Sequence, residues 1–228
     1  MSHSVQAHLG LPLDEYDRAI RRWIPGYDDM LTQAAEAVSA IDPGLVVDLG
    51  AGTGALTEQV LDRTSRATVE LWDIDSAMLD QATPRIAKHG SRAVPHVRSY
   101  FDPFPPCDAF MASLSLHHIA DREQKATLYA RAFNALRPGG VFVLADAVMP
   151  EEPEARHTRF SAWADHMVAQ GIPTEQAWTH FDEWAEEDTY LPLEVEVDAL
   201  ARAGFEVTVP WQVVASTVIV ATRPPDQT

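Results

Sequence analysis

Apolar residues along this chain recur with two alternating periods. Over residues 14–40 they fall at three- and four-residue steps: Tyr16, Ile20 and Trp23 precede a break at Pro25-Gly26, and Met30, Leu31, Ala34, Ala37 and Val38 follow it. That spacing predicts two helices. Residues 45–49 form a short apolar run ending in glycine-rich sequence, after which Leu56, Val60 and Leu61 return to helical spacing. The unit reads as strand, tight loop, helix. Further strands are expected over 67–72, 93–98, 109–114 and 141–145, with helices over 76–88 and 121–136, the second stopped by Pro138-Gly139-Gly140. Five strands alternating with helices imply parallel pairing through right-handed crossovers, and so a doubly wound α/β sheet covered on both faces.

The pattern changes after Pro150. Two helical stretches, 154–169 and 173–188, follow without a strand between them and so cannot extend the sheet. Residues 194–203 read as a helix closed by Gly204, then 206–211 and 213–222 as two strands nearly abutting at Pro210 to Gln212. The expected architecture is one Rossmann-like domain over 1–228. It divides into N-terminal cover helices (14–41), an α/β core (45–148), a helical cap insertion over one edge (151–190), and a helix with an antiparallel hairpin that completes the mostly parallel sheet (193–222).

Charge sharpens this division and narrows the function. The 228 residues carry 17 basic and 34 acidic side chains, a net charge of −17. Residues 1–150 contribute 13 basic and 19 acidic groups, whereas 151–228 contribute 4 and 15. Such a field repels phosphate backbones and anionic lipid, so neither nucleic acid nor a membrane surface is an expected partner. No run approaches the roughly 20 apolar residues that span a bilayer. The single Cys107 and a start without basic and apolar leader regions fit a reducing, cytoplasmic setting.

The chemistry is expected at the first strand–helix loop, because ligands of open α/β sheets bind beyond the carboxyl ends of the strands. Gly50, Gly52 and Gly54 stand at alternate positions there, and Asp73, 23 residues after Gly50, ends the next strand. A carboxylate at about that distance reaches the ribose hydroxyls of a nucleoside ligand. Gly54-Ala55-Leu56 supplies no cation for a triphosphate. Asp48, just ahead of the loop, would oppose a pyrophosphate and suits a ligand with a positive amino group better.

At these residues the chain resembles the class I S-adenosylmethionine-dependent methyltransferases of small-molecule type. The resemblance runs from about Tyr16 to Val148 and rests on VVDLGAGTG at 46–54, LWDIDSAML at 71–79, SLSLHHI at 113–119 and LRPGGVFVLAD at 136–146. It implies that 45–148 binds the cofactor S-adenosylmethionine, with S-adenosylhomocysteine as product. Gly50, Ala51 and Gly52 would pack under the methionine part, with Asp48 at its ammonium group and Asp73 on the ribose. Ile74 and Met78 would line the adenine. Ser99 and Tyr100 would close its edge, although the family often has Asp where Ser99 stands. Ser113 and Leu114 would offer backbone carbonyls near the sulfonium. Tyr16 and Tyr27 resemble the tyrosines of cover helices that close over the cofactor; packing on the sheet is their other role.

For the acceptor, His117 and His118 follow the fourth strand where the methyl group should lie, and either is a candidate base or a structural residue. Asp146, ending the fifth strand, could orient a neighbour or cap a turn. The inserted segment holds three of the six tryptophans, and Trp163, His166 and Trp178 are the candidates for an acceptor pocket, against the alternative that they glue the insertion to the sheet. No spaced Cys, His or carboxylate set of the usual kind suggests a metal. The expected reaction is methyl transfer to a small molecule in secondary metabolism. Two alternatives stay open: attack on the aminocarboxypropyl chain with release of methylthioadenosine, and a non-catalytic binding module.

Overall fold

A computed structural model describes residues 13–226. The reading of the first twelve residues as leaderless lies outside them. Two helices open the described chain, α1 (Leu13–Trp23) and α2 (Tyr27–Ser39), separated at Gly26. The strand–helix alternation follows: β1 (Leu45–Leu49), α3 (Ala55–Arg63), β2 (Thr68–Asp73), α4 (Ser76–Ile86), β3 (Ala93–Val97), β4 (Cys107–Ser113), α5 (Arg122–Ala135) and β5 (Leu136–Ala147). Then come α6 (Pro153–Ala169), α7 (Thr174–Trp184), α8 (Leu193–Ala203), β6 (Glu206–Val213) and β7 (Ser216–Thr222). Asp75 and Asp121 cap α4 and α5 by accepting backbone N–H bonds from the first turns.

The strands form one seven-stranded sheet in the order β3-β2-β1-β4-β5-β7-β6. All pairs are parallel except β5–β7 and β6–β7, so the fold is Rossmann-like with an antiparallel hairpin at its C-terminal end. Side chains alternate across the sheet. Val46, Val69, Met111 and Val143 face the core under α1 to α4, whereas Val47, Trp72, Phe110 and Phe142 face the core under α5 and α8. Order reverses between β1 and β4, which places the crevice for a ligand at the ends of those two strands.

The inserted helices join the first of these cores. The Trp163 indole N–H donates to the Trp23 carbonyl (2.6 Å), the rings of Trp23 and Trp184 meet at 5.7 Å, and Arg159 donates to the Val214 carbonyl. They thus pack on α1 and reach the β6–β7 turn.

Three details differ from the sequence reading. The hairpin turns at Val214-Ala215, with Val214 at φ +52°, not at Pro210 to Gln212. Pro210 lies within a register shift between Thr208 and Trp211 on the edge strand, where a missing N–H is tolerated. Next, β5 begins at Leu136, which pairs with Cys107, so Pro138-Gly139-Gly140 interrupts a strand's register instead of preceding the strand. Finally, α7 ends at Trp184 and leaves Asp188 in the loop beyond it.

Candidate functional site

The loop after β1 is drawn tightly against its neighbours. Gly50 has φ +70°, and a Cβ there would fall 2.5 Å from the Ser115 Cβ, so glycine is required both for the backbone and for the approach. Ser115 in turn donates its hydroxyl to the Leu49 carbonyl at 2.7 Å. Gly50 and Ala51 donate their N–H groups to the Trp72 carbonyl. Asp73 completes the clamp: Oδ2 accepts from Gly52 N and Oδ1 from Asp75 N, each at 2.8 Å. Burial pushes the Asp73 carboxyl up against these hydrogen bonds.

A cavity opens over this loop. Of the residues expected at the cofactor, Tyr16, Tyr27, Asp48, Gly50, Ala51, Gly52, Asp73, Ile74, Met78, Tyr100, Ser113 and Leu114 all line it. Ser99 does not. Its hydroxyl accepts from Phe101 N and its N–H bonds the Asp102 carboxylate, a local turn that occupies the side chain. The sequence reading missed Thr53, Trp72, Arg98 and Ser115, which also line the cavity. Thr53 within the glycine loop and Ser115 two residues beyond Ser113 carried a positional signal for this. Arg98 carried none, since its place follows from lying over the Trp72 ring at 4.0 Å.

Asp48 is the most telling group. It is 1% exposed, and its Oδ2 accepts from the Thr57 hydroxyl at 2.6 Å while its Oδ1 is buried without a hydrogen-bond partner. Burial, with the nearby Asp73 charge adding to it, pushes this carboxyl up to about 7. A cationic group in the cavity would satisfy that oxygen and restore the charge. Above it, burial raises the hydroxyls of Tyr16 and Tyr27 beyond their ordinary range, so both stay protonated donors. Asp17, beside Tyr16, accepts from the Thr53 hydroxyl (2.8 Å) and pairs with Arg85, tying α1 to the glycine loop and to α4.

On the cavity wall beyond β4 the chain takes a strained step at Leu114, φ +49°, held by its N–H bond to the Ala145 carbonyl. The step leads into a 3-10 turn at Leu116–His118. There a polar cluster assembles. His117 Nδ1 lies 2.5 Å from Asp146 Oδ1, and Asp146 Oδ2 accepts from Leu116 N and His117 N. Asp188 approaches from the loop after α7, 3.5 Å from His117 Nε2 and 3.0 Å from His118 Nδ1. Burial alone would push His117 down, but the two carboxylates outweigh it and hold the imidazole above its usual value. For the same reason Asp188 is held down at about 2 despite its burial. His118 lines the cavity; His117 and Asp146 stand behind it.

The aromatic residues expected at an acceptor lie elsewhere. Trp163 is 1% exposed inside a ring cluster with Phe181, Trp184 and Tyr190. Trp178 stacks on His157, and burial lowers His166 below its usual value. None of the three lines the cavity, because the faces they occupy on α6 and α7 pack against each other and α1.

The cavity fits a nucleoside sulfonium. Asp48 offers an unpartnered carboxylate oxygen to an ammonium group, Asp73 keeps lone pairs for two hydroxyls, and Ile74, Met78 and Tyr100 supply a flat, mostly apolar wall for a base.

Known proteins point the same way. Residues 46–140 match the model of a methyltransferase domain. The chain is 29% identical over 194 residues to a trans-aconitate 2-methyltransferase of Variovorax paradoxus, covering 82% of this chain and 69% of that one. It is 26% identical over 160 residues to a carboxy-S-adenosyl-L-methionine synthase of a Geobacter species, covering 67% and 65%. Among solved structures, an O-methyltransferase family protein from Burkholderia thailandensis superposes with a TM-score of 0.74 at 19% identity, over 97% of this chain and 62% of that one. Human N-acetylserotonin methyltransferase, solved with its cofactor, gives 0.57 at 18% identity, over 98% and 63%. The chain therefore spans about two thirds of the length of these relatives.

Proposed function

We propose that the chain, which carries a match to a methyltransferase domain over residues 46–140, acts as a class I S-adenosylmethionine-dependent methyltransferase and moves the methyl group of S-adenosylmethionine to a heteroatom of a small-molecule acceptor of secondary metabolism, in the cytoplasm. The observation that carries this reading is one cavity walled by the unpartnered Asp48 oxygen, the Asp73 carboxylate and the His118 imidazole. When bound, the cofactor supplies an electrophilic methyl group on sulfur.

The chain's own residues do the rest. Asp48 holds the ammonium end, Asp73 the ribose, and Tyr16 and Tyr27 on the two cover helices exclude water. In-line displacement gains mostly from this alignment. His118, with Nδ1 on Asp188, presents the tautomer whose Nε2 accepts the acceptor's proton as the new bond to carbon forms. His117 and Asp146 lock the turn that carries it.

Cofactor cleavage without an acceptor is the competing chemistry. Incubation of the protein with S-adenosylmethionine alone, followed by mass spectrometry of released small molecules, decides between them. Our reading expects retained cofactor and no methylthioadenosine. Accumulating methylthioadenosine would replace methyl transfer by attack on the aminocarboxypropyl chain.

A further inference from the structure

We propose that His117, His118 and Asp188 form a binding site for a divalent transition-metal ion of the zinc type on the cavity wall. One donor atom from each lies within 4.8 Å of the others. Asp188 Oδ1 is 3.0 Å from His118 Nδ1 and 3.5 Å from His117 Nε2. Tetrahedral zinc with ligands at about 2.0–2.1 Å spaces its donor atoms by roughly 3.4 Å, so two of the separations already match. The third, between the two imidazoles, is within 4.8 Å and needs a small adjustment to close on an ion.

Two further observations point to a ligand here. The Asp188 side chain is 8% exposed, and its buried Oδ1 faces both imidazoles at once, 3.0 Å from His118 Nδ1 and 3.5 Å from His117 Nε2. Its other oxygen is already satisfied by the Tyr190 hydroxyl at 2.6 Å. The first oxygen thus stands within reach of one nitrogen on each ring. Next, His117 Nδ1 is bound to Asp146 at 2.5 Å, the carboxylate–histidine arrangement that fixes Nε2 as the ligating nitrogen and raises its basicity. The backbone supports the geometry, since Thr189 N donates to the His117 carbonyl and pins the Asp188 loop to the turn.

Two imidazoles and one carboxylate select a borderline ion such as Zn2+ or Co2+ over Mg2+ or Ca2+, which favour all-oxygen sets. Three protein ligands leave a fourth position, and His118 places it at the cavity. Binding does not depend on the methyl-transfer reading. One consequence does: an ion drawing on His118 and Asp188 excludes their use as proton acceptor, so loading would slow transfer.

The test uses the full chain after treatment with EDTA. CoCl2 is titrated while visible absorption is recorded, and ZnCl2 is titrated by calorimetry. The expected result is one equivalent of each, with the intense d–d bands of tetrahedral Co2+. His118→Ala and Asp188→Asn should each weaken Zn2+ binding at least 100-fold, and Asp146→Asn by about 10–100-fold. Circular dichroism and retained S-adenosylmethionine binding identify variants that are folded. No stoichiometric binding in the parent protein, or unchanged affinity in folded His118→Ala and Asp188→Asn, would overturn the site and leave the cluster as a hydrogen-bonded proton relay.

Discussion

The Nδ1 atom of His117 lies 2.5 Å from Oδ1 of Asp146, with neither side chain more than 10% exposed. A buried ion pair of this kind is costly to break because one partner is left charged and dry. Its second flank is Asp188, so His117 carries the charge that lets two carboxylates stay buried together.

Replacing His117 with Asn should therefore destabilise the fold by about 3–5 kcal/mol. The pH dependence has a definite sign. His117 is held above its unfolded value, so its contribution is full below the ordinary histidine range and fades as pH rises through the folded pKa. Denaturant melts of the parent protein and the variant at pH 6 and pH 9 check this. The stability difference should shrink at the higher pH.

Asp48 predicts a pH effect on the cofactor. With its carboxyl pushed up to about 7, most of the free protein carries it protonated at pH 6. An ammonium group prefers the ionised form, so affinity for S-adenosylmethionine should rise about tenfold from pH 6 to pH 8. Calorimetry across that range measures it, and Asp48→Asn should flatten the profile.

Asp73→Ala removes an acceptor for two backbone N–H groups and for the ribose. Cofactor binding should weaken by about 1.5–3 kcal/mol, the scale of hydrogen bonds to a charged group. An unchanged dissociation constant would mean that the ribose lies elsewhere.

His118→Ala should bind cofactor with nearly parental affinity while turnover falls by about 10²–10⁴, the usual contribution of a positioned base. Equal turnover would reduce His118 to a wall residue. Once an acceptor is in hand, single-turnover kinetics separate the two outcomes.

Trp163→Ala should act on stability. The indole is buried and donates to the Trp23 carbonyl, so its loss should cost about 3–5 kcal/mol in denaturant melts. Trp178→Ala, at a half-buried position stacked on His157, should cost less. Neither should shift cofactor affinity in the folded protein.

Local pattern carried most of the cofactor side. The strand alternation, the glycines at 50, 52 and 54, and the acids at 48 and 73 are short-range features, because a strand end, its loop and the next strand end meet in every parallel sheet of this type. Periodicity also located the inserted helices but could not say which face each ring would meet. Trp163, His166 and Trp178 could be read as pocket or as packing, and in the structure none of them lines the cavity over the glycine loop, while Trp163 and Trp178 join the core where α6 and α7 dock on α1.

What the sequence by itself determined is the parallel sheet and the loop chemistry, since both follow from hydrophobic period and from residues a few positions apart. What tertiary structure alone decided is the polar cluster. Asp188 stands 70 residues beyond His118 with no spacing motif between them, and it arrives there because α7 stops at Trp184 and the loop after it bonds to the His117 carbonyl. A contact between distant segments depends on how two packed layers close on each other, and that closure is set by the whole core.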